Sequence, residues 1–176
     1  VPDRRPSAFD PMLEDLGAID LVGVQVAAWP AARTVVTMAY RGEEGTVAEV
    51  LGRFARNTPA VTMLQIGPGT WLSLCDGAFP DLGDAAATFD QGDGFAFLKL
   101  DGPAAMTVLQ KGIFVDLEAT LASVGACVCS VIGYINVIAW RASPNTIAVA
   151  VPRSFAGSFW HWLRTAAAAE GVPIGR

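Results

Sequence analysis

The sequence predicts an α+β domain: two similar β-α-β-β-α halves, residues 18–90 and 91–176, with antiparallel sheets covered by helices, behind an N-terminal arm over 1–17. Three observations lead there. Short runs rich in Val, Ile, Thr and aromatic residues alternate with stretches at helical spacing. Turns built on Gly, Pro and Asn join neighbouring runs closely, which suits hairpins rather than long crossovers. The order strand, helix, strand pair, helix occupies 34–89 and returns over 94–170, without evident sequence identity.

The arm, VPDRRPSAFD, carries too little apolar surface to fold alone. It is either a frayed terminus or an extended segment that anchors Phe9 on a neighbouring subunit. Pro11 to Gly17 can make a short helical turn. Ile19–Ala28 and Thr34–Tyr40 read as strands joined around Trp29-Pro30. Thr46 and Glu49 have the spacing of a capping box, and Val47, Val50, Leu51 and Phe54 line one face of the helix that follows. Asn57-Thr58-Pro59 ends it. Val61–Ile66 and Trp71–Cys75 are strands around the Gly67-Pro68-Gly69-Thr70 turn, and Phe79–Phe89 has Leu82 and alanines at helical spacing.

In the second half, Gly94–Leu100 is a buried strand that Asp101-Gly102-Pro103 stops, with Asp and Gly suited to the N-cap of the next helix. Ala105, Val108 and Leu109 form its apolar stripe, and Gly112 is placed to end it in the left-handed conformation. A second apolar run, Ile113–Leu117, follows. Cys127–Trp140 is one long β-branched strand with Cys127 and Cys129 on one face, turned by Ser143-Pro144-Asn145 into Thr146–Pro152. Ser154 is placed to cap the last helix, whose core stripe reads Phe155, Phe159, Trp162, Leu163 and Ala166. Trp160 then falls about 60° off the stripe and His161 opposite it. Trp160 is covered either by a loop of the same chain or by a partner subunit.

Composition bounds the function. Hydrophobic residues make up 52% and charged residues 16%; either alanines inflate the count or surplus apolar side chains cover a partner's surface. A net charge of −5 argues against nucleic acid, which needs a basic stripe. Cys75, Cys127 and Cys129 form no CxxC pair and read as buried thiols in a reducing compartment. No apolar run has the ~18–20 residues a bilayer demands, and no basic segment with an apolar core opens the sequence; the expectation is a cytoplasmic protein with no membrane partner.

Chemistry is sparse. The single histidine, His161, has no partner with which to act as base or nucleophile and reads as solvent-facing or at an interface. Asp116 and Glu118, two apart, would share a strand face or pair with Arg153. The GPGT turn lacks the GK[ST] ending of a phosphate loop, no GxGxxG follows a strand, and Asp90–Gly94 lacks the spacing of a calcium loop. The expected sites are therefore contacts with a partner, at Phe9, Trp160 and His161, with no catalytic, cofactor or metal residue.

Three strings carry a resemblance: GPGTWLSL at 67–74, GPAAMTVLQKGIFVDL at 102–117 and VPRSFAGSFWHWLRTAAAAEG at 151–171. Together they resemble the gamma subunit of heterotetrameric sarcosine oxidase, with Glu118 where that family shows His. The resemblance implies the fold of the folate-binding domain of aminomethyltransferases. It implies a non-catalytic subunit of a bacterial complex that oxidatively demethylates sarcosine or a related N-methyl amine. FAD, FMN, NAD, tetrahydrofolate and zinc would belong to the alpha, beta and delta subunits, with alpha the chief partner. The alternative is a stand-alone module that binds folate or another flat acid, stacking it on Trp71 or Trp140.

Overall fold

The computed structural model describes residues 6–14, 16, 23–29 and 33–175. The described residues start in the larger of two units with α1 (Asp10–Leu13) and β1 (Val24–Ala28), pass through a smaller unit, and return to the larger one at residue 93.

The smaller unit holds β2 (Arg33–Ala39), α2 (Glu44–Asn57), β3 (Thr62–Gly67), β4 (Thr70–Cys75) and β5 (Ala86–Asp90). Its sheet is antiparallel, in the order β3-β4-β2-β5. Val47 and Leu51, one helical turn apart, bury α2 against Trp71 and Ala86. Gly69 turns β3 into β4 at φ 59°, which a residue with a Cβ adopts only under strain. Two expectations are corrected here. The capping box does not form: α2 starts earlier, at Glu44, while Glu49 pairs with Arg53 at 2.7 Å. The helix expected over 79–89 is a 3₁₀ turn at Gly83–Ala85 followed by β5. Five residues of β2, Val35 to Ala39, pair along that strand, so ladder hydrogen bonds outweigh the helix propensity of a few alanines.

The larger unit adds β6 (Phe95–Asp101), α3 (Ala105–Gln110), α4 (Leu117–Thr120), β7 (Cys127–Ile132), β8 (Ile135–Ser143), β9 (Thr146–Pro152), α5 (Ala156–Ala169) and β10 (Ile174–Gly175). They build a sheet in the order β10-β1-β6-β9-β8-β7, antiparallel except for the β1–β10 pair. Alternate residues of its strands, among them Val26, Leu98 and Val149, face a core shared with α1, α3 and α5. β1, which the sequence assigns to the first half, thus belongs with the second. The run from Cys127 to Trp140 is a hairpin and not one strand: Gly133, at φ 60°, and Tyr134 form a two-residue turn between Ile132 and Ile135.

The glycines flanking α3 work by closeness. A Cβ on Gly102 would lie 2.4 Å from the Gly23 carbonyl oxygen, and its φ of 125° excludes other residues as well. Gly112 is not left-handed; a Cβ there would meet the Trp162 ring at 2.5 Å, so the glycine seats that ring. Neither helix has the cap expected from sequence. Asp101 instead accepts a hydrogen bond from the Thr146 hydroxyl, and Ser154 lies in a 3₁₀ turn before α5.

Helix α5 is rotated from the expected placement. Its buried residues are Ala156, Phe159, Trp160, Leu163, Ala166 and Ala167. At 100° per residue, this face is centred about 60° from the stripe drawn through Phe155 and Trp162. Phe155 is exposed and Trp162 half-buried over Gly112. The small residues Ala156 and Ala167 face the core, where they let the helix approach closely; weighting by aromatic bulk misplaced the centre.

Candidate functional site

A cleft of about 460 Å³ opens in the larger unit between β1, the end of β6 and the β8–β9 hairpin. Gln25, Asp101, Arg141 and Asn145 supply its polar groups, and Pro103, Met106 and Ile147 its apolar ones. Two of these groups, Asp101 and Arg141, are committed to holding the hairpin. Arg141 donates through Nε to the Leu121 carbonyl and through Nη1 to the Pro144 carbonyl at 2.8 Å. Asp101 accepts from Thr146, whose hydroxyl accepts from Ser143 at 2.7 Å. The arrangement fixes a turn. Its hydroxyl–carboxylate pair, Thr146 with Asp101, is part of that turn, Thr146 does not line the cleft, and His161 lies exposed on α5. Among the described residues no three His, Cys, Asp or Glu side chains cluster as metal ligands, and no helix is long and apolar enough to cross a membrane.

The expected contact residues divide. Phe9 is fully buried, its ring edge-on to Phe159 at 6.2 Å, and Leu13 of α1 enters the same core. The reading of this segment as an arm that offers Phe9 to a neighbour is corrected: the ring closes the chain's own core. Trp160 is 7% exposed and packs in that core too, which corrects its placement off the core stripe and its reading as a partner contact. His161 alone of the three is exposed. Asp116 and Glu118 do not share a strand: Asp116 caps α4 through the Ala119 amide at 3.0 Å, and Arg153 donates to the Pro6 carbonyl at 3.2 Å. Trp71 and Trp140 are buried, Trp140 edge-on to Trp29 and Phe97, so neither offers an open face for a flat ligand. Cys75 is buried but Cys129 is exposed, against the reading of all three thiols as interior. Burial pushes the Cys75 thiol up, with Arg33 opposing, so it stays protonated and unreactive.

What the sequence reading missed is the loop 111–116. The Gln110 amide donates to the carbonyls of Ile113 and Val115, both at 2.7 Å, and accepts from the Leu117 amide at 2.9 Å. Ile113 and Leu117 are buried on either side of it. Between these anchors Phe114 is turned outward and is 91% exposed. Tyr134, at the tip of the β7–β8 turn, is 97% exposed. Part of the signal lay in the sequence: Gln110, Asp116 and Leu117 build the loop, and Phe114 and Val115 are the apolar residues between them left exposed.

A family model described as sarcosine oxidase, gamma subunit family, matches residues 81–170, just over half of the chain. The chain belongs to the sarcosine oxidase gamma subunit family. The matched span covers β5 to α5 and includes the Gln110 loop and the Trp160 face. Among solved structures, a chain of heterotetrameric sarcosine oxidase from Corynebacterium sp. U-96, in complex with pyrrole 2-carboxylate, superposes with a TM-score of 0.75 at 18% identity. The match covers 96% of this chain and 97% of that one, and it shows the α+β fold for this gamma-family member. An aspartate kinase from Synechocystis aligns with a TM-score of 0.37 at 11% identity, over 89% of this chain and 28% of its own. No curated protein matches the sequence.

Proposed function

We propose that this chain is the non-catalytic gamma subunit of a heterotetrameric sarcosine oxidase-type complex, supporting the assembly of a machine that oxidatively demethylates sarcosine or a related N-methyl amine. The family match over 81–170 carries the reading. Two features of the chain support it. Arg141 and Asp101 of its cleft are spent on turn geometry, and Phe114, 91% exposed, stands on a loop held by Gln110. Alpha, the large subunit, is the chief partner in this reading, with beta and delta completing the complex. FAD, FMN, NAD, tetrahydrofolate and zinc then reside in those chains, and the compartment is the cytoplasm. His161 stays a candidate contact.

The test is purification of the tagged chain from its own host in mild salt. Recovery with large subunits that show a flavin spectrum, oxidise sarcosine, and lose this chain only under dissociating conditions is the expected result. A monodisperse chain with no flavoprotein attached overturns the reading, and so does a flavin that remains with the isolated chain.

A further inference from the structure

We infer that the end of the larger unit's sheet marked by Phe114 and Tyr134 is the surface on which a larger subunit of the complex docks. That subunit presents apolar pockets with a basic rim. The inference rests on the proposed function and adds the place of contact and the chemistry of the partner.

The two rings belong to one neighbourhood. A Cβ on Gly112 would stand 3.0 Å from Ile132 Cγ2, so the start of the loop touches the end of β7. Phe114 and Tyr134 each lie two residues beyond that contact, within about 7 Å of backbone. Val115, also exposed, extends the apolar area beside Phe114. A mobile loop would lose entropy on docking. This one is already ordered by three hydrogen bonds to Gln110 and by the buried Ile113 and Leu117, so its conformational cost is met in the free chain. A phenylalanine 91% exposed on such a support loses hydration-unfavourable area only when something covers it.

Charge selects the occupant. Asp116 and Glu118 border the loop and are exposed. The nearest cation along the chain, Lys111, is held by Glu170 at 2.7 Å. Two copies of this chain meeting here would bring like charges together on molecules that each carry −5. A partner with Arg or Lys around apolar pockets meets the surface instead.

The experiment uses the complex isolated from the host, stripped of this chain, and reconstituted with wild-type or variant chain while affinity is measured by biolayer interferometry. Phe114→Ser with Tyr134→Ser is expected to weaken binding by at least about thirtyfold, the scale of interface hot spots, and to leave the melting temperature of the free chain unchanged. Glu118→Lys is expected to weaken binding at low salt and to reverse its salt dependence. Tyr40→Ser, at another exposed aromatic, should bind as wild type. Wild-type affinity in the double variant overturns the surface and leaves the subunit reading standing. A wild-type chain that binds no flavoprotein subunit overturns both. Self-association that the double variant abolishes makes a second copy the occupant and overturns the assignment to a larger subunit.

Discussion

At Gly112 and Cys75 a single atom, a methyl carbon or a proton, decides the outcome. Gly112→Ala places a Cβ 2.5 Å from the Trp162 ring and 3.0 Å from Ile132, so the ring must leave its seat. Overpacking of this kind costs about 1–3 kcal/mol, and urea unfolding of the variant should show it as a lower midpoint at unchanged m. Because Trp162 also packs on Phe159 at 5.8 Å, its fluorescence should shift as well. For Cys75 the folded state holds the thiol protonated by burial. Its pKa is raised on folding, so the folded chain keeps a proton that the unfolded chain releases once pH passes the ordinary thiol value of about 8.5. Stability is therefore full below that pH and falls as pH rises through it. Cys75→Ala should flatten the slope of unfolding free energy between pH 7.5 and roughly pH 10, measured by urea titration at each pH. Cys75 was legible as a buried thiol, but Gly112 was not legible for its role: a glycine that makes room and a glycine that turns look alike in sequence, and only the neighbour across the fold distinguishes them.

Among the elements, α5 makes the most direct test of what periodicity conveys. The helix itself was readable, since a long run without Pro and with apolar residues three and four apart has no other economical conformation. Its rotation was not, because two stripes about 60° apart both contained Phe159 and Leu163, and bulk favoured the one with Trp162. The buried Trp160 now exchanges roles with its neighbour. Trp160→Ala should destabilise the chain by about 3–5 kcal/mol, more than Trp162→Ala, in thermal melts of the free protein. A Trp160→Ala variant as stable as wild type, with Trp162→Ala the damaging one, would return the stripe to its expected position. β5 and the β7–β8 hairpin teach the complementary lesson. Ala86 to Asp90 became a strand because the edge of β2 stood open for it, a fact about residues fifty positions away. The hairpin turns on one glycine in a β-branched run, with none of the Asn-Gly chemistry that announces a turn.

For the whole molecule, the class and most strands were legible from alternation and turns, and the family from three strings. The route of the chain through its two units was not, because strand pairing at a separation of seventy residues leaves no local trace. β1 ends at residue 28, yet its neighbours in the sheet are β6, starting at residue 95, and β10, at 174–175. On a ribosome that emits roughly 5–20 residues per second, this order has a temporal meaning. The strand would leave the exit tunnel seconds before β6 exists to receive it, and β10 follows later still. Until then Val24 and Val26 have no sheet to enter, and the strand's backbone donors stand open to other nascent chains. Residues 33–92, whose strand partners all lie within that span, can close their own sheet during the wait. Birth order thus makes the inserted unit the early folder and leaves the larger one dependent on the last strand out, so that slow synthesis or a premature stop would endanger the larger sheet first.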